Sequence, residues 1–456
     1  MGNKFIAKHI EINKLKRKIF RVFELLRKEP IPEKLNELVL NERKSTCNIQ
    51  ELQLEKVKKI LKYAYNNSRF YRKYYSEHEQ MLYNINSLKD IECFPILTKE
   101  LIRKNLKDII CSNGRKKYIA KTSGSIGEPL KLYKDRITSA YSYAAMYRGL
   151  RWFGIEICDR EAYLWGIPLG KKDFYLAKAK DFILNRFRER KFDLTDEVNS
   201  DFYHKMAHYK PKILSGYANL IYEFAQYLHK NKIDIKPVKL KIIKYTAEMM
   251  YDYQKEFISK VLSCPVVSEY GSAEAGVMAF QCPHGGNHIL TDCVHLEFKY
   301  DIDSGFYKII ATNLHSYVFP IIRYDTGDLI KSNKIRECSC ALPFPIMDKI
   351  IGRSSDIIIT PEGKKIHSNI FSYIIKELIK RYQIINQILF IQTKIDEIKV
   401  ILKMDDNDNK KINKDIRKLI HHKISKNIKV VFVEENFNKK QESGKLRYFI
   451  SELNKE

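Results

Sequence analysis

Thr122-Ser123-Gly124-Ser125-Ile126-Gly127-Glu128-Pro129 alternates hydroxyl-bearing residues with glycines and ends in a proline. The glycines permit positive φ and leave no Cβ in the way of an approaching ligand. Successive backbone N–H groups and the three hydroxyls can then converge on phosphate oxygens. The same composition also suits a plain flexible linker. Tyr118-Ile119 before the stretch and Leu130 to Tyr133 after it read as short strands, so the loop joins strand to strand. A Walker-type loop joins strand to helix and carries a lysine followed by Ser or Thr, which is missing here.

Working outward, Phe94-Pro95-Ile96-Leu97-Thr98-Lys99-Glu100 opens a helix, with Thr98 as its N-cap after the apolar Leu97. Residues 50–82 read as helical and Tyr-rich. Residues 1–45 read as helices with basic faces, because Ile12, Leu15, Ile19, Val22, Phe23 and Leu26 recur at helical spacing. Such a helix can lie on a membrane surface or pack on its own domain. From about 137 to 262, helices alternate with short apolar strands. Ile213-Leu214 precedes Ser215-Gly216, Lys241 to Tyr245 precedes Thr246-Ala247-Glu248, and Pro265-Val266-Val267 precedes Tyr270-Gly271. Each strand is expected to end in a loop, and in open α/β sheets ligands gather beyond the carboxyl ends of strands.

Between about 289 and 330 the pattern turns to period two, with Val294, Leu296 and Phe298 answered by Tyr307, Ile309 and Ala311, which predicts an antiparallel β subdomain. After Gly352-Arg353 a hairpin turns at Pro361-Glu362-Gly363. A helix (368–382), two strands (388–392 and 398–402), a second helix (412–424) and a last strand (430–433) follow. The expected class is α/β: a large multi-subdomain α/β unit over 1–350, with an antiparallel β subdomain, and a small mobile α+β unit over 351–456.

The 456 residues are 44% hydrophobic, which excludes wholesale disorder. No apolar run reaches the length of a membrane-spanning helix, and residues 1–17 lack the apolar segment of a signal peptide. Nine irregularly spaced cysteines point to a reducing, cytoplasmic setting with free thiols. Net charge is +27, from 82 basic and 55 acidic residues. The lysines are scattered, and neither zinc-finger spacing nor an RNA-binding aromatic signature is present, so no nucleic-acid partner is expected. Peripheral membrane contact through the basic N-terminus stays open.

Four further stretches carry chemistry. In Ser268-Glu269-Tyr270-Gly271-Ser272-Ala273-Glu274-Ala275-Gly276, an aromatic ring beside a glycine can stack on a purine, and Glu274 offers a hard carboxylate for Mg²⁺. In Arg323-Tyr324-Asp325-Thr326-Gly327-Asp328, an acid can accept both hydroxyls of a ribose. Gly352-Arg353-Ser354-Ser355-Asp356 and Gly444-Lys445-Leu446-Arg447 complete the set.

In this order the motifs resemble those of the adenylate-forming acyl-CoA synthetase superfamily, and more closely its phenylacetate–CoA ligase and CapK-like capsule-biosynthesis branch. The resemblance spans about Leu52 to Ile450. It implies that a carboxylic acid attacks Mg·ATP to give an acyl-adenylate and pyrophosphate. The acyl group then passes to a thiol such as coenzyme A, or to an amine or hydroxyl of a cell-envelope or polysaccharide precursor. By resemblance, Thr122, Ser123, Gly124, Ser125 and Gly127 hold the β- and γ-phosphates. Tyr270, with Gly271 and Ser272, meets the adenine, flanked by Ala247 and Glu248. Glu274 binds Mg²⁺, and Asp328 holds the ribose with help from Arg353. Lys445 bridges carboxylate and α-phosphate as a mobile point charge. The small domain would turn about a hinge at Arg353 to Ser355. Many superfamily members place a lysine directly after the loop's proline; here Leu130 follows Pro129, as is common in the phenylacetate branch. Residues 137–240 are expected to line the acyl pocket, and Trp165, Tyr217 and Tyr222 either face it or belong to the core. A basic binding protein, for membrane or nucleic acid, on an inactive synthetase fold is the alternative.

Cys282, His284, His288, Cys338 and Cys340 form two clusters. Four N/S donors make a closed, structural zinc site, and Cys282, His288, Cys338 and Cys340 are the favoured set. Branch members show a similar Cys-His and Cys-x-Cys pattern. Unligated thiols in surface loops are the other reading.

Overall fold

Segments each too short to stand alone assemble into an eight-stranded sheet. Its order is Ile346–Met347, Asn287–Ile289, Gly276–Gln281, Val266–Ser272, Ile242–Thr246, Ile213–Gly216, Glu161–Leu164 and Arg186–Glu189. The last five are mutually parallel, and the first three are added antiparallel at one side. The computed structural model describes residues 2–112, 116–121, 129–165, 171–189, 194–302, 304–354, 356–368, 370–382, 385–404, 409–433 and 448–453. The glycine-loop residues Thr122 to Glu128, and Ser355 and Lys445, lie outside the described residues.

Alternation along the strands divides the core in two. Ala162, Leu214, Ile243 and Val266 meet Ile221, Phe224 and Leu228 of the helix Ala218–Lys230. Ile213, Ile242 and Val267 face the other way, onto Ala140, Ala144 and Tyr147 of the helix Arg136–Arg151. Asp135 starts that helix, accepting the Thr138 N–H at 2.7 Å. Behind it, Arg148 and Asp292, both without exposed side-chain surface, form a two-bonded ion pair at 2.7 and 2.9 Å. Asn41 of the helix Ile31–Asn41 donates to the same carboxylate.

The period-two segment is antiparallel: Val294–Asp301, Phe306–Asn313, Tyr324–Ile330 and Ile350–Arg353 form one sheet. Leu296 lies opposite Ala311 and Phe298 opposite Ile309, so the two apolar sets share one face. The glycine loop's flanks form the hairpin Lys117–Lys121 and Lys131–Asp135, with Ile119 opposite Tyr133. Thr98 caps its helix, accepting the Leu101 N–H at 3.2 Å.

Beyond Arg353, the helices Ile370–Tyr382 and Asn409–Lys423 cover a sheet ordered Lys429–Val433, Glu397–Met404, Ile385–Lys394, Phe449–Ser451. The buried residues of this cluster all fall between Ile358 and Phe449.

Two expectations need correcting. Ser268 to Ser272 is not a loop: Val266–Ser272 continues as strand because Gly276–Gln281 folds back and pairs with it. Val430 to Val433 is not the last strand either. The three residues Phe449–Ser451 add a parallel edge beside Ile385–Lys394, too short for periodicity to reveal.

Candidate functional site: a cleft around Asp328

A cavity of about 450 Å³ opens at the carboxyl ends of the central strands. Ala247, Glu248, Tyr270, Gly271, Asp328 and Arg353 line it, so six residues singled out from separate motifs meet in one place. Its volume is within the range of small-molecule sites.

Asp328 is the node. Its Oδ2 accepts the Tyr270 hydroxyl at 2.9 Å, and its Oδ1 is 3.4 Å from the Arg353 Nε. Strand register produces this arrangement, since Asp328 lies directly opposite Arg353. Burial pushes the Asp328 carboxyl above the ordinary aspartate range, against the pull of Arg353 and the Tyr270 hydroxyl. Burial, with Asp328 beside it, also carries the Tyr270 phenol well above its usual value.

Two backbone devices shape the walls. A Cβ on Gly271 would stand 2.6 Å from the Gly276 carbonyl oxygen, so only glycine lets the two strands close there. Ala247 has φ +66°, a left-handed conformation that a non-glycine residue adopts at some cost. The next residue, Glu248, accepts the Asn219 N–H at 3.1 Å, at the start of the helix Ala218–Lys230. A carboxylate there satisfies a free helix donor and meets the positive end of the dipole.

Ser272 and Glu274 sit apart from the cleft lining. The Ser272 hydroxyl accepts the Ala275 N–H at 2.9 Å in the turn between strands. Glu274 is buried, and its Oε1 accepts the Tyr324 hydroxyl at 2.9 Å. Lys99 and Lys134 interact electrostatically with it. Burial lowers both ammonium groups, and Glu274 pulls each back up. Arg353 feels Glu274 as well; burial works against its charge, but Asp328, Asp356 and Glu274 raise it overall.

Lys134, Tyr324, His367 and Tyr448 carried no role in the sequence reading. His367 Nε2 is 3.1 Å from the Arg353 carbonyl, and both His367 and Tyr448 line the cleft. Tyr448 stands next to the terminal Gly-Lys-Leu-Arg motif, and that adjacency was the one available signal. Its hydroxyl donates to Asn219 Oδ1 at 3.0 Å and accepts from Gln254 Nε2 at 2.7 Å, tying the start of the C-terminal strand to the helices Ala218–Lys230 and Asp252–Leu262.

A second cavity, of about 320 Å³, lies against the strands Glu161–Leu164 and Arg186–Glu189. Tyr143, Tyr147, Tyr163, Trp165, Arg186 and Lys244 are among its walls. Lys244 Nζ reaches Glu269 Oε2 at 2.8 Å, and Glu269 lines the 450 Å³ cleft, so this ion pair stands between the two spaces. Trp165 faces the cavity. Tyr217 is core, stacked behind Trp165 at 4.0 Å, and Tyr222 is core, packed edge-on against Phe257.

Cys282, His288, Cys338 and Cys340 converge, with their donor atoms all within 4.8 Å of one another. Cys282 Sγ and Cys338 Sγ are 3.7 Å apart, and Cys340 Sγ is 3.1 Å from His288 Nε2. A tetrahedral zinc with bonds near 2.3 Å has S–S edges of about 3.8 Å. His288 Nδ1 donates to the Phe344 carbonyl at 2.6 Å, which leaves Nε2 as the free ligand atom. His284 is not part of the set; its Nδ1 is 3.1 Å from the Ser339 hydroxyl. The turn that carries Cys282 also contributes Gly285 and Gly286 to the cleft wall.

No protein-family profile matches the chain. Over 419 residues it is 25% identical to protein CapK of Staphylococcus aureus, covering 89% of this chain and 90% of that one. It is 23% identical over 407 residues to phenylacetate-coenzyme A ligase of Pseudomonas putida, covering 85% and 89%. The solved 2-hydroxyisobutyryl-CoA ligase, in its postadenylation state with R3-HIB-AMP, superposes with a TM-score of 0.71 at 18% identity and 91% coverage of each chain. The same ligase in its thioesterification state gives 0.59 at 18% identity, covering 90% of this chain and 91% of that one.

Proposed function

The chain is an adenylate-forming, acyl-CoA synthetase-like enzyme, and from that premise we propose that it activates a carboxylic acid with ATP and passes the acyl group to coenzyme A. In the first half-reaction a carboxylate oxygen bonds to the α-phosphorus of ATP, and the bond to the β-phosphate oxygen breaks. The products are acyl-AMP and pyrophosphate. In the second, the thiol sulfur bonds to the acyl carbon, AMP leaves, and the thiol proton is released. An amine or hydroxyl of a cell-envelope or polysaccharide precursor is the acceptor to test beside coenzyme A.

The observation that carries this reading is the meeting of Asp328, Tyr270, Arg353 and Ala247-Glu248 in one cleft of adenosine size. Asp328 accepts the ribose hydroxyls, and Arg353 holds its charge in place. The ring of Tyr270 supports the adenine while its hydroxyl keeps Asp328 oriented. Thr122 to Gly127 take the outer phosphates. Glu274 is the residue that would hold Mg²⁺: a single buried carboxylate fits a cation that otherwise takes phosphate and water oxygens. When bound, Mg²⁺ supplies neutralisation of phosphate charge. Lys99 and Lys134 add positive charge around the same carboxylate.

Lys445 is three residues before Tyr448, which lines the cleft. This supports its role as the cation on the reacting carboxylate and α-phosphate. The higher score against the postadenylation form supports reading the present arrangement as the one used for adenylation. The small unit, 351–456, would then turn for acyl transfer. The 320 Å³ cavity suits the acid: Tyr163 and Trp165 offer ring faces, and Arg186 and Lys244 offer charge for a polar substituent. Cys282, His288, Cys338 and Cys340 hold a structural zinc.

Pyrophosphate–ATP exchange with a panel of carboxylic acids tests the reading. At least one acid supports exchange, and Lys445→Ala reduces it about 100-fold or more, comparable to removing one electrostatic stabiliser. No exchange with any acid, or full exchange in Lys445→Ala, overturns it.

A further inference from the structure

The N-terminal helix Gly2–Arg27 rests on the helix Lys171–Ile183. Phe20 and Glu24 are buried on its inner side, and Lys16 Nζ bonds to the Phe182 carbonyl at 2.9 Å while lying over the Phe182 ring. The outer sides have no such cover. Leu15, Val22 and Leu26 recur at helical spacing and are exposed, as is Leu25; Leu25 and Leu26 are 77% and 80% exposed. On the second helix, Tyr175 and Phe182 are 69% and 64% exposed, seven residues apart, with Phe174 exposed beside them. These seven make up nearly half of the fifteen exposed large hydrophobic side chains among the described residues, on two touching helices. The two helices meet at the Lys16–Phe182 contact.

The charges on the two helices are sorted as well. Among the described side chains every exposed charged one is basic: Arg17, Lys18, Arg21 and Lys178. Of the acids among these described side chains, Glu24 and Asp181 are buried, and Asp181 is held by Arg188 at 2.8 Å. An apolar strip with cations along its border and acids withdrawn is the chemistry of a helix lying in a bilayer interface. The surplus of +27 adds attraction to an anionic surface. No helix among the described residues is long and apolar enough to cross a membrane, so the contact is one of lying on the surface.

We propose that the outer faces of the helices Gly2–Arg27 and Lys171–Ile183 dock this enzyme on an anionic lipid bilayer. The inner side of the second helix contributes Ala177 and Lys180 to the 320 Å³ cavity, and Leu184 just past its end joins them. Docking therefore sets that cavity about one helix diameter, roughly 10 Å, from the lipid.

Full-length protein is sedimented with vesicles of phosphatidylcholine containing about 30% phosphatidylglycerol, and with phosphatidylcholine alone. Binding is expected to the anionic vesicles, weakening with salt, and not to the neutral ones. Leu25→Ser with Leu26→Ser, and separately Lys18→Glu with Arg21→Glu, are each expected to cut partitioning about tenfold or more. Both keep the wild-type melting temperature and exchange activity in solution. Absence of binding to anionic vesicles, or equal binding by both variants, overturns the proposal. A dimer in sedimentation velocity that the Leu25→Ser, Leu26→Ser variant dissolves also overturns it, assigning the surface to a second copy.

Discussion

At the residue scale the site is organised by what surrounds Asp328. A buried carboxylate is costly unless it is paired and hydrogen-bonded. Here one oxygen takes the Tyr270 hydroxyl and the other faces Arg353. That pairing orients the group and offsets part of the burial that pushes its carboxyl upward. Tyr270→Phe keeps the ring and removes only the donor on Asp328. A hydrogen bond to a charged group contributes about 1.5–3 kcal/mol. The variant should therefore raise the KM for ATP about tenfold, with the KM for the acid nearly unchanged. Steady-state kinetics in both substrates check this, and an equal change in both constants counts against the assigned role.

At the element scale, the turn between Gly276–Gln281 and Asn287–Ile289 does two things at once. It places Cys282 and His288 beside Cys338 and Cys340, and it presents Gly285 and Gly286 to the cleft. A metal that fastens the turn also fixes that wall. Cys340→Ser should leave protein purified without a His-tag with well under one zinc per chain, against about one in the wild type. Its melting temperature should fall by several degrees, and chelator should mimic the substitution. Metal content by mass spectrometry decides the matter: substoichiometric zinc in the wild type removes the site. The glycines follow the same logic of close approach. A Cβ on Gly352, at φ +138°, would stand 2.5 Å from the His367 ring, at the point where the chain leaves the antiparallel sheet.

At the scale of the whole molecule, the pH dependence of stability follows from histidines in the core. His295 is pushed down to about 4 by burial, with Arg323 adding to it. His315 is pushed down to about 3 by burial and by Lys56. Unfolded, both return to about 6.5. Between about pH 6.5 and 4 the unfolded chain binds more protons, so this contribution is complete above 6.5 and is lost as pH falls. Each group contributes up to about 1.4 kcal/mol per pH unit in that window. The melting temperature should drop between pH 7 and pH 5, and the drop should shrink in His295→Gln. A melting temperature that is flat across this range would contradict neutral burial of the two rings. On the same scale, Tyr448 joins the C-terminal strand to Asn219 and Gln254, and Lys349 meets Asp252 at 2.5 Å.

The sequence by itself determined the α/β class, many of the elements and the order of the nucleotide motifs, but not strands such as Glu161–Leu164, Arg186–Glu189 and Asn287–Ile289. What it determined depends on local facts: apolar periodicity, the N-cap at Thr98, and the side-chain chemistry of Tyr270, Asp328 and Arg353. The Cys282, His288, Cys338 and Cys340 set was legible for the same reason, since ligand types show in the chain. Tertiary structure decided what depends on distant partners. Ser268 to Ser272 is strand because Gly276–Gln281 returns beside it, and Phe449–Ser451 is strand because Ile385–Lys394 offers an edge. Lys134 and Tyr324 gain meaning from standing near Glu274, and Tyr448 from lining a cleft built largely by other segments. Helical spacing announced an apolar stripe from Ile12 to Leu26. Only packing could determine which of its residues the protein covers and which it leaves to another surface, because burial is a property of the assembled chain.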